Sequence, residues 1–193
     1  MFSIARPSQT AISAFLERAR TLPLSYGPIG IARARAVPGF DVDETAAIVG
    51  HGDADYERAV SALVAWKHMT LGWMQLYPPQ PSIEIGTVVA VLVRHWGLWS
   101  LNGSRVVYGV EETTGVYSSF GFAYGTLTDH AERGEEIFQV KLDRQTGDVM
   151  YTVRAASQPR ALAAKIAGNS VRSLQERFRR ESCEALRRAI AAR

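Results

Sequence analysis

From Trp73 to Ser157 the apolar side chains recur at every second position, and short polar turns interrupt them. That period places alternate side chains on opposite faces of a pleated strand, so this half of the chain reads as sheet rather than helix. Met74–Tyr77 is a short strand stopped by Pro78, Pro79 and Pro81, and Thr87–Trp96 is apolar and β-branched. Asn102-Gly103, between Trp99 and Arg105, predicts a tight hairpin turn. Ser104–Thr113 and Val116–Leu127 follow, with Gly115 between them. Glu135–Leu142 and Asp148–Ala156 flank the turn Arg144-Gln145-Thr146-Gly147. Five or six successive strands joined by short turns favour an antiparallel meander.

A sheet of this kind needs a cover for its apolar face. The long helix predicted from about Arg160 to Ala191, with a break near Gly168-Asn169, is the obvious one. Leu162, Ile166, Leu174, Phe178 and Leu186 are its candidate buried stripe. Ahead of the sheet run come a helix around Ile12–Thr21, with Ser8 or Thr10 near its start, and a strand over Phe40–Val49. A second helix, capped by Asp53 or Asp55, is expected to reach about Thr70. Tyr56, Val60, Leu63, Val64 and Lys67 mark its inner face, with Trp66 at the edge. Strands grouped before a terminal helix, without βαβ alternation, give an α+β fold: a curved antiparallel sheet gripping a long C-terminal helix. At 193 residues, one domain over 1–193 is expected, with an N-terminal helical extension at about 1–30.

Composition removes several classes. Apolar residues make up 47% and charged residues 21%, an ordinary globular balance. No apolar run is long enough for a transmembrane helix. The acid-poor N-terminus has a trace of transit-peptide character, but a structural helix accounts for it better. One cysteine, Cys183, leaves no disulfide framework and no multi-thiolate metal site, and it suits a reducing, cytoplasmic setting. Residues 154–193 hold ten Lys/Arg against three Asp/Glu. This basic tail could serve an interaction module, but Glu176, Glu181 and Glu184 share the helix with its arginines. A solvated, self-paired face is the simpler reading, and nucleic acid is a disfavoured partner because only Phe178 interleaves. Walker loops, nucleophile elbows and His-Glu-x-x-His pairs are absent, and no cofactor or metal is expected.

The stretch FAYGTLTDHAERGEEIF, from Phe122 to Phe138, is specific. It resembles the signature of a bacterial and plant family catalogued as domain of unknown function nineteen-ninety. Leu22-Pro23-Leu24-Ser25-Tyr26 with Gly30, and Gly50-x-Gly52 followed by Tyr56, Ala59, Leu63 and Trp66, are similar to other segments of that family. So are Arg154-Ala155 with Ser157 and Pro159, and Gln175 in the terminal helix. The family has no established activity. Its layout is similar to that of the START-like helix-grip superfamily, which includes lipid carriers, aromatase/cyclases and plant allergens. The resemblance implies a START-like domain with space for an apolar ligand between sheet and helix.

Three groups of side chains are candidates for function. Tyr108, Phe120, Phe122, Tyr124, Phe138 and Tyr151 lie at alternating strand positions and are expected to line a ligand pocket of several hundred Å³. The competing reading is a filled aromatic core. His130, Glu132, Glu136 and Arg154 could supply acid/base chemistry of a cyclase or hydrolase, with Arg154 or Arg105 as the cation beside an inward carboxylate. The competing reading is a hydrogen-bond network that fixes a loop. Cys183, near Arg179, Arg180 and Arg187 in helix spacing, reads as a packed thiol rather than a nucleophile. Together these features favour binding of a small apolar or amphipathic ligand over catalysis.

Overall fold

The computed structural model describes residues 2–95, 97–159 and 169–192. The elements run β1 (Phe2–Ser3), α1 (Gln9–Ala19), β2 (Asp41–His51), α2 (Asp53–Val64), β3 (Met74–Tyr77), β4 (Val88–His95), β5 (Leu98–Thr113), β6 (Tyr117–Thr126), β7 (Glu132–Asp143), β8 (Asp148–Pro159) and α3 (Asn169–Ala191). All strands pair antiparallel in one curved eight-stranded sheet of order β2-β8-β7-β6-β5-β4-β3, and β1 pairs with β5. Leu162, Ile166 and the expected break at Gly168 lie outside the described residues.

Strand alternation feeds two apolar layers. On the inner face, Val91, Val93, Val106, Phe122, Phe138, Val140, Tyr151 and Val153 pack against α2 and α3. On the outer face, Ala90, Leu92, Leu101 and Leu127 meet Ile12, Phe15 and Ala19 of α1. Beside them, Val107, Ala123, Ile137 and Ala156 meet Tyr26, Ile31 and Ala32 of the segment after α1. Covering both faces explains strands richer in apolar residues than a one-sided sheet requires. Phe178 and Leu186 of the expected α3 stripe are buried, and Ser182, Cys183, Ala185 and Ile190 join them.

Local chemistry sets the boundaries. Ser8 caps α1 by accepting from the Ala11 amide at 3.2 Å. Gly52, rather than Asp53 or Asp55, is the N-cap of α2, and Asp55 instead accepts the His51 amide at 2.7 Å. The helix stops at Val64, short of Thr70, because Trp66 takes a left-handed conformation (φ 55°). That turn swings the indole inward, where its N–H donates to the Pro81 carbonyl at 2.9 Å. Trp66 is therefore buried rather than peripheral, and the inner face of α2 runs through Ala59, Ala62 and Leu63 while Val64 is exposed.

Two strand expectations are corrected. Asn102-Gly103 is not a turn: it lies within the 16-residue β5, and the reversal falls between His95 and Leu98, which pair across it. The Asn102 side chain is buried and accepts from the Ala131 amide at 3.2 Å, so its turn-like pairing with glycine reflects a buried polar role. A bulge between Val106 and Tyr108 adds one residue to β5, which flips every later side chain to the opposite face. Tyr108 and Val110 thus belong to the outer layer.

Candidate functional site

β7 carries three carboxylates with different fates. Glu132 and Glu136 share the inward parity, whereas Glu135 points outward. Glu135 is 2% exposed and accepts from the Tyr26 hydroxyl (2.7 Å), the Tyr108 hydroxyl (2.6 Å), the Gly30 amide (2.8 Å) and the Ala32 amide (3.2 Å). Both phenols are pushed far up by burial and by this carboxylate, so they remain neutral donors. Gly125 is required here, because a Cβ would lie 2.3 Å from the Tyr26 hydroxyl oxygen. Gly134, at φ 150°, has no room for a side chain either: a Cβ would sit 2.0 Å from the Ala156 carbonyl. Its amide donates to Thr126 Oγ1 at 2.8 Å, tying the β6 end to the β7 start.

On the inner face a cavity of about 180 Å³ separates the sheet from the first turns of α3. One side is apolar, with Met69, Trp73, Met74, Val91, Val93 and Phe178 on its wall. The other side is polar and carries Tyr124, His130, Glu132, Glu136, Gln175 and Arg179. Tyr124 donates to Glu136 Oε2 at 2.8 Å, and Gln175 donates to Glu132 Oε2 at 2.9 Å and to Ser157 Oγ at 3.2 Å. His130 Nδ1 accepts from the Glu132 amide at 2.9 Å, which fixes the turn ahead of β7.

The electrostatics follow from burial. Glu136 is pushed up to about 7, chiefly by loss of water, with the Glu132 charge adding and the Tyr124 hydroxyl and Arg179 opposing. Glu132 is also raised by burial, against the Gln175 amide and Arg179. Arg179 is 7% exposed and lies 3.6 Å from Asp43 of β2. No cluster of three or more metal-ligating side chains occurs among the described residues.

The structure brings His130, Glu132, Glu136 and Tyr124 together on the cavity and leaves the other expected site residues elsewhere. Phe122, Phe138 and Tyr151 are wholly buried and fill the core around Trp66 and His68. Phe120 packs half-buried against the same core. Tyr108 faces outward because of the β5 bulge. Arg154 also faces outward, donating to the Ala32 and Ala34 carbonyls at 2.7 and 2.6 Å and pairing with Glu44 at 2.6 Å. Arg105 donates to the Arg20 and Leu22 carbonyls. Among the described residues, the cation near the inward carboxylates is instead Arg179, one of the arginines whose helix reads from sequence as a solvated face. Gln175, Arg179, Ser182 and Leu186 recur every three or four residues, and that spacing marks the inward stripe. The Cys183 thiol is buried and its pKa is raised by that burial, which suits packing and not nucleophilic attack.

The family described as Domain of unknown function (DUF1990) matches residues 25–185. A UPF0548 protein of Deinococcus radiodurans is 31% identical over 201 residues, covering 98% of each chain. A UPF0548 protein of Dictyostelium discoideum is 28% identical over 211 residues, covering all of this chain and 97% of its own. Among solved structures, the Zhui aromatase/cyclase from a Streptomyces species superposes with a TM-score of 0.51 at 11% identity, over 79% of this chain and 94% of that one. That likeness shows the helix-grip fold. No helix among the described residues is long and apolar enough to cross a membrane.

Proposed function

The chain belongs to the DUF1990 family, and we propose that it binds a small amphipathic molecule in the cavity between the sheet and α3. The observation that carries this reading is the division of one cavity into an apolar wall and a carboxylate-bearing wall. A packed core has no reason to place two glutamates on a cavity wall, because each buried carboxylate costs several kcal/mol unless it is well paired. The size bounds the ligand. At about 180 Å³ the cavity is smaller than the pocket of several hundred Å³ that the sequence suggested, and below the roughly 300–1,000 Å³ of drug-sized sites. A dry cavity of about 150 Å³ accommodates a benzene ring, so one ring or a short alkyl chain with a compact head fits.

Native mass spectrometry of freshly purified protein tests this. The wild type is expected to carry a small-molecule adduct that denaturation releases. Leu174→Trp, which fills the cavity from α3, is expected to run without it. Unadorned masses for both proteins, together with no thermal shift from small amphiphiles, would overturn the reading.

An acid–base role for Glu136 is a second reading. It is favoured by a carboxyl that is half ionised near neutral pH and faces a cavity, as general acids and bases require. Arg154 has no part in it, since its guanidinium is bound on the outer face.

A further inference from the structure

The polar wall of the cavity is unbalanced in a way that specifies the ligand's head. Its phenol and amide donors are engaged. Tyr124 gives its proton to Glu136, Gln175 gives its amide hydrogens to Glu132 and Ser157, and the Asn102 amide nitrogen donates to Ser100 Oγ at 3.1 Å. The two carboxylates keep acceptor capacity. Each carboxylate accepts on Oε2, and the Oε1 of each receives no hydrogen bond from another described side chain. Charge points the same way: among the described residues, the carboxyls of Glu132, Glu136 and Asp43 face one guanidinium, that of Arg179.

From this we infer that the ligand carries a protonated amine, seated against Glu136 within the field of Glu132, with its apolar body against Met74, Val91, Val93 and Phe178. The inference rests on the cavity being a ligand site. An ammonium has three donors and no acceptor, the complement of what the wall offers. A carboxylate ligand would meet like charge, and an alcohol would leave the charge of the pair uncompensated.

The idea has a pH signature. The groups around Glu136 are Tyr124 of β6, Glu132 of its own strand, Tyr151 of β8 and Arg179 of α3, with Asp43 of β2 behind the arginine. Tyr124 and Tyr151 stay protonated because burial raises both. The carboxyl that changes charge as pH passes 7 is Glu136. An ammonium binds the ionised form, so its affinity climbs as that form populates.

Titration calorimetry on the full chain at pH 6, 7 and 8 tests the head group, with benzylamine, benzyl alcohol and benzoate as probes. Benzylamine is expected to bind most tightly, with affinity rising up to about tenfold from pH 6 to pH 8. Glu136→Gln is expected to weaken it at least ~10-fold and flatten the pH dependence, the size expected for a charge-assisted bond. Glu132→Gln is expected to weaken it less. Equal or tighter binding of the alcohol or benzoate, no binding of benzylamine, or a Glu136→Gln variant of unchanged affinity overturns the amine inference. The pocket reading survives those outcomes if native spectra still show an adduct that Leu174→Trp abolishes, and falls if they do not.

Discussion

Glu135 and Glu136 are neighbours on one strand, yet they sit in opposite physical situations. Glu135 faces the outer layer and receives four hydrogen bonds, two from phenols and two from amides. Glu136 faces the inner layer, receives one from Tyr124, and borders a cavity. A carboxylate surrounded by donors is a clamp: it fixes the segment from Tyr26 to Ala32 against the sheet. A carboxylate with spare acceptor capacity beside a cavity is free to receive a further donor, which is what the proposed ligand supplies. The strand's alternation therefore separates scaffold from cavity wall, and the motif around them encodes both. Gly125 and Gly134 make room for the clamp and for the close β7–β8 approach, while Glu132 and Glu136 face the cavity.

Removing the clamp is expected to have the largest effect. Glu135→Ala leaves one buried phenol, one half-buried phenol and two amides without their acceptor and should cost ~3–5 kcal/mol of stability in urea denaturation. A loss below about 1 kcal/mol would erase the distinction between the two carboxylates.

Glu136→Gln acts in the opposite direction. The folded protein holds its Glu136 proton up to about 7 against an ordinary value of 4.5, so it binds more protons than the unfolded chain between those values. Stability from this group is therefore complete below about 4.5 and declines as pH rises through 7. The variant should be more stable than wild type by about 3 kcal/mol at pH 8 and nearly equal at pH 4.5, by the same denaturation measured across pH. His68 supplies the counter-slope. Buried among Trp66, Phe122, Phe138 and Tyr151, it is held down to about 3 from 6.5 by desolvation. Its stability is present above 6.5 and is lost as pH falls toward 3. In wild type the two slopes oppose one another between 4.5 and 6.5, and Glu136→Gln should expose the rising His68 limb.

The smallest effect separates donors on the two faces. Tyr108→Phe removes one of four donors to Glu135 and should cost about 1 kcal/mol without altering ligand binding. A change in cavity affinity comparable to that of Glu136→Gln would mean that the outer layer communicates with the site.

Much of this architecture is legible in the sequence. The period-two run gives β6, β7 and β8 and the turn at Arg144–Gly147, and Glu136 shares a parity with Phe138 that sends it inward. The same alternation assigns Arg154, one residue from inward Val153, to the outer face, so its exclusion from the site was also readable. Other features depend on contacts distant in sequence. Asn102-Gly103 has the composition of a turn, and only Ala131 and the adjoining cavity explain a buried asparagine there. The bulge after Val106 carries no local signature, and it alone moved Tyr108 from the expected pocket to the clamp. Arg179 was obscured by the arginines around it, several of which pair with glutamates one turn away on the exposed face.

Carboxyl-carbon NMR of Glu136 is the most direct test of a poised inward carboxylate. In the free protein its midpoint is expected near 7, and saturating benzylamine should lower it by at least ~1 pH unit as the ammonium favours the ionised form. A midpoint in the ordinary carboxylate range, or one that benzylamine leaves unmoved, would contradict the account.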